Sequence, residues 1–143
     1  MALTFLGLVL ICFLGLLDLK DYDEICEWLS KAGTLALRED QRLTTHPGPF
    51  NKLTSPKEEV IQNTIKDLEI HGWLMDRLGM PLSPWSKINI HVGASYGDKD
   101  MACANFCKNF KRLSESVQAR LTVENDDKPS LYTSAALYER IYK

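Results

Sequence analysis

The chain has 143 residues, 45% hydrophobic and 25% charged, with a formal net charge of −2. That balance fits one folded domain and excludes a disordered, collagen-like or low-complexity chain. It also excludes binding to nucleic acid through a basic field of the whole molecule, so any such contact must come from a local site.

Residues 2–17, ALTFLGLVLICFLGLL, carry no charge. The run is shorter than the ~20 apolar residues of a membrane helix, and it lacks the basic start and small-residue cleavage site of a signal peptide. Two readings stay open: a buried element, or a leader outside the domain. We place the division at 1–17 and 18–143, with no membrane role.

Ile25, Trp28, Leu29, Ala32, Leu35 and Ala36 recur at steps of three and four, which predicts a helix over 21–38. RLTTHPG (42–48) reads as a strand closed by Pro-Gly. SPKEE (55–59) predicts a helix start, with Ser55 as cap, Pro56 as first helical residue and Glu58 completing a capping box. Val60, Ile61, Ile65, Leu68, Met75 and Leu78 give that helix its apolar face, and Gly79 ends it. His71 lies inside it and reads as structural.

KINIHVG (87–93) alternates cleanly: Ile88, Ile90 and Val92 on one face, Lys87, Asn89 and His91 on the other. A helix then starts near Asp98, with Ala102, Phe106, Phe110 and Leu113 on one side. Cys103 and Cys107, four apart on it, read as small buried residues rather than a metal site or disulfide, which suits a reducing compartment. RLTVENDD (120–127) is a further strand and loop, and a last helix starts near 130–134.

Strands alternating with helices predict an α/β fold with a parallel sheet. The three strands end alike, at His46, His91 and Glu124, spaced 45 and 33 residues apart, about one βα repeat. Each has a polar stripe on one face: Thr44 and His46, Asn89 and His91, Thr122 and Glu124. In a parallel barrel, functional groups sit at the C-terminal strand ends. Two imidazoles and a carboxylate around one mouth suit zinc, manganese or iron and metal-assisted hydrolysis. Asp126 and Asp127 read as loop solvation or as partners of Glu124.

The stretches RLTTHPGPF, SPKEEVIQNTIKDLEIHG, KINIHVGASYGDK, NFKRLSESVQARLTVENDDKPSLY and LYERIYK resemble the UV damage endonucleases. The resemblance implies a TIM barrel and incision of damaged double-stranded DNA immediately 5′ of a UV photoproduct, opening excision repair in the cytoplasm. It implies a cluster of divalent metals, manganese foremost, with His46, His91 and Glu124 as ligands and no protein partner. It places Phe50 at an aromatic position that probes the duplex. The departures are Pro49 where the family has Gln, and Ala94 where it has Gly, which strains the loop if that position needs a positive φ. The family's site has further ligands beyond these three, so the chain reads as about three βα units of the barrel, with open sheet edges that favour association. Two other readings remain: a catalytically incomplete fragment, or another metal-dependent TIM-barrel enzyme of the sugar isomerase or hydrolase type.

Overall fold

A computed structural model of the chain describes residues 20–125, 128 and 131–143. The apolar stretch 1–17 and the pair Asp126 and Asp127 lie outside the described residues. In chain order the elements are α1 (Tyr22–Arg38), α2 (Glu58–Arg77), β1 (Ile88–His91), α3 (Lys99–Phe110), α4 (Glu115–Gln118), β2 (Leu121–Glu124) and α5 (Ser134–Leu137). A 3₁₀ turn at Pro84–Ser86 leads into β1, and α5 runs on into a π-helical turn over Tyr138–Tyr142.

β1 and β2 pair in parallel, with Ile88 opposite Leu121, Asn89 opposite Thr122, Ile90 opposite Val123 and His91 opposite Glu124. Thr45 joins the other side of β1 as an isolated parallel bridge to Ile88. β1 is therefore central, and the three segments stand side by side in chain order.

The alternation of β1 is realised in its packing. Ile88, Ile90 and Val92 are buried with Leu68, Phe106 and Val117 in one core, and Leu121 and Val123 pack against its edge. Helices cover this apolar face, the arrangement expected of parallel strands.

The first predicted strand, over 42–48, is reduced to a bridge. The Thr45 N–H reaches the Lys87 carbonyl and its own carbonyl accepts from Asn89, both at 2.9 Å. Pro47 then has no N–H to continue a ladder. Arg42 fixes the segment instead: its Nη2 donates to the Pro84 carbonyl at 2.9 Å, and its guanidinium stacks 5.1 Å from the centre of the Trp85 ring.

The expected capping box is also absent. α2 begins at Glu58, not Pro56, with Lys57 at the cap. Ser55 is buried, and its Oγ accepts from the Lys57 N–H, two residues along, at 3.1 Å. Glu58 is drawn into a pair with Arg112 Nη2 at 2.6 Å. The other end follows the sequence: Met80 N–H returns to the Met75 carbonyl and Gly79 N–H to Asp76, the paired bonds of a Schellman stop. Asp98 caps α3, its carboxylate accepting from Asp100 and Met101 N–H, both at 3.0 Å. The short helix α4 has no counterpart in the sequence reading. Cys103 is buried as expected, whereas Cys107 is half-buried at the surface side of α3.

Candidate metal centre

Three separate segments deliver the polar residues to one place. The Arg42 tether and the bridge at Thr45 hold His46 beside β1. His91 and Glu124 are register partners at the C-terminal ends of β1 and β2. Because side chains alternate along a strand, burial of Ile88 and Ile90 turns Asn89 and His91 to the opposite face.

There the His46 Nε2 lies 2.9 Å and the His91 Nε2 2.8 Å from one oxygen, Glu124 Oε1. The two rings meet edge-on, centroids 5.7 Å apart. One ligand atom from each of the three residues lies within 4.8 Å of the others. All three predicted ligand residues are thus brought together, and they are half-open to solvent.

The charges follow from these contacts. The Glu124 carboxylate raises the His46 imidazole above its ordinary value, against a weaker opposing effect of burial, and the Pro47 carbonyl beside Nδ1 adds to the rise. Both ring nitrogens of His46 therefore face acceptors, an environment that favours imidazolium. The same His46 contact is the main reason Glu124 titrates below the usual carboxylate range, with the Asn89 amide and the His91 charge adding to it. Two imidazoles and one carboxylate converging on a point are a donor set for a divalent transition metal. The residues fit a metal.

Around this trio lie residues to which the sequence reading gave no place in the site. Asn89 Nδ2 donates to Glu124 Oε2, and Thr122 Oγ1 donates to Asn89 Oδ1 at 2.8 Å. Both stand on the polar stripes, which was the available signal. Lys52 and Lys128 line an open groove beside His91 together with Pro49, Gly93, Ala94 and Leu131.

Phe50 is 84% exposed at the tip of a firmly held loop. Asn51 Nδ2 bonds the Gly48 carbonyl and Asp67, Lys52 N–H bonds Thr64, and Asn109 Nδ2 bonds the Leu53 carbonyl. Ala94 shows no strain: the turn is taken by Gly93 at φ 104°, and among the described residues the non-glycine residues with positive φ are Asp40 and Tyr96. His71 is buried in α2, away from the site, as expected.

The family described as UV-endonuclease UvdE matches residues 18–139. A UV DNA damage endonuclease of Bacillus velezensis is 42% identical over 111 residues, 78% of this chain and 32% of that protein. A UV-damage endonuclease of Neurospora crassa is 43% identical over 103 residues, 71% of this chain and 16% of its own length. The crystal structure of SacUVDE superposes with a TM-score of 0.71 at 33% identity, covering 78% of this chain and 37% of that one. The chain spans about a third or less of the length of these curated relatives. Its α/β fold is similar to that of SacUVDE, and the described residues contain no helix long and apolar enough to cross a membrane. The chain belongs to the UV-endonuclease UvdE family.

Proposed function

We propose that residues 18–143 form part of a TIM-barrel endonuclease that incises double-stranded DNA 5′ to UV photoproducts and so opens excision repair in the cytoplasm. The observation that carries this reading is the convergence of His46 Nε2, His91 Nε2 and Glu124 Oε1, from the C-terminal ends of β1 and β2 and the bridged segment beside β1. These three residues would hold the metal, manganese by preference. A divalent cation supplies charge stabilisation of phosphate and a lowered pKa for water.

The chain's own residues do the rest. The imidazoles and the carboxylate fix the geometry of the site. Lys52 and Lys128 offer positive charge to backbone phosphates along the groove beside His91. Phe50 presents an aromatic face to the duplex from a loop whose backbone is tied down. Pro49 supplies no amide to hydrogen-bond a base, so Pro49 and Phe50 offer the duplex apolar surface only.

The test is nicking of a UV-irradiated supercoiled plasmid with Mn²⁺, comparing the 143-residue chain, its His91→Ala variant and an EDTA control. Nicking that depends on irradiation and vanishes in both controls is the expected result. Equal nicking of unirradiated plasmid would overturn the lesion specificity. Bound Mn²⁺ without nicking would favour the catalytically incomplete fragment over an active nuclease.

A further inference from the structure

Glu124 is the pivot of the site, since one of its oxygens meets both imidazoles. A carboxylate on a strand end rotates freely unless its second oxygen is held. Here Oε2 accepts from Asn89 Nδ2, across the strand pair and two residues off register. An asparagine amide has a donor end and an acceptor end, so it can be inserted two ways round. The Glu124 carboxylate, which only accepts, removes the choice by requiring the NH₂ end, and Thr122, the register partner of Asn89, braces the other end. Its hydroxyl donates to Asn89 Oδ1 at 2.8 Å, so both ends of the amide are held. Asn89 is 9% exposed, so water competes little for these bonds.

We infer that Asn89, oriented by Thr122, is a positioning residue that locks the Glu124 carboxylate with Oε1 turned to His46 and His91. This rests on the reading of those three residues as a metal-binding set, and it adds a hydrogen-bond chain Thr122→Asn89→Glu124 that runs back and forth between β2 and β1. Groups that orient a ligand in this way commonly change metal affinity by about 10-fold or more when removed. Asn89 and Thr122 act through Glu124.

Two measurements on the 143-residue chain decide it. The first is Mn²⁺ affinity by calorimetry. Asn89→Leu, close in shape but without the amide, is expected to bind about 10-fold more weakly at an unchanged unfolding midpoint. Thr122→Val should move the same way, while Thr122→Ser, which keeps the donor, should match the parent. The second is the Asn89 side-chain amide signal in a ¹H–¹⁵N spectrum without metal, identified by its loss in Asn89→Leu. Its protons should exchange slowly in the parent and in Thr122→Ser, and fast in Thr122→Val. Parent-like affinity in both Asn89→Leu and Thr122→Val, or an amide signal indifferent to Thr122→Val, would overturn the inference. If the parent itself takes up no Mn²⁺, the metal reading fails, and the exchange data still decide whether Thr122 orients Asn89.

Discussion

Arg120 Nη1 donates to Asp76 Oδ1 at 2.7 Å, yet the two side chains live in different media: 1% of the arginine is exposed and 47% of the aspartate. The guanidinium is held mainly by other groups. It also donates to the Met80 carbonyl at 2.6 Å, the Pro81 carbonyl at 3.0 Å and Ser116 Oγ at 2.6 Å. It thereby ties the end of α2 to α4 and to the start of β2, the strand that carries Glu124. Arg120→Ala would orphan the buried Met80 carbonyl at about 1–3 kcal/mol and remove the other three partners' bonds as well, so a loss of about 3 kcal/mol or more is expected in urea unfolding. Asp76→Asn removes only a half-exposed partner and should cost about 1 kcal/mol or less. Equal losses in the two variants would contradict this account.

Gly33 sits where α1 passes the end of α2. A Cβ added there would lie 1.7 Å from the Leu78 carbonyl oxygen and 2.5 Å from its carbon, both backbone atoms. Helix propensity favours alanine over glycine by about 1 kcal/mol. Overpacking of this kind costs about 1–3 kcal/mol, and a backbone obstacle belongs at the upper end. Gly33→Ala should therefore destabilise by about 2 kcal/mol, visible as a lower thermal midpoint. A neutral or stabilising result would mean that α1 shifts away freely.

Two histidines give the protein opposing responses to pH. Burial pushes the His71 imidazole below its ordinary value, outweighing the attraction of Asp67. The unfolded chain takes up a proton near pH ~6.5 that the folded chain refuses, so stability falls as pH drops below that value and on through the folded pKa. His46 is raised, chiefly by Glu124. Its contribution is fully present below pH ~6.5 and is lost as pH rises through its folded value. Urea midpoints between pH 7.5 and 5.5 should show the parent losing ground to His71→Leu as pH falls. His46→Ala should lose the opposite component, falling furthest behind the parent at the acid end.

Lys52 and Lys128 both line the groove next to His91. If they meet backbone phosphate, each alanine substitution should weaken duplex binding about equally for every sequence and lower the log–log salt slope by about 1. Fluorescence anisotropy across a salt series reads both quantities. An unchanged slope would place the DNA elsewhere on the surface.

The residues of the candidate site were legible in the sequence because they rest on the shortest-range rule in play, strand alternation. Once Ile88, Ile90 and Val92 are assigned to the core, Asn89 and His91 must face the other way. The helix stop at Gly79 and the Asp98 cap were legible for the same local reason. What failed was local chemistry overruled at a distance. Glu58 prefers Arg112, 54 positions further along, to its own helix start. The 42–48 stretch has a strand's composition, but Pro47 ends the pairing after one bridge. α4 is a single turn, too short for any periodicity to show. The Asn89 contact with Glu124 needed the register of two strands, which is a property of the pairing and not of either segment alone.

His46 and Glu124 touch across 78 positions of chain, and His91 enters from a third segment between them. No short stretch of this polypeptide can bring these three groups together, because closing such a loop carries an entropy cost that only the packed core offsets. Occupancy of the site and completion of the fold are therefore one equilibrium. Anything that binds there selectively is also a ligand of the native state, stabilising it by an amount that grows with the logarithm of its concentration.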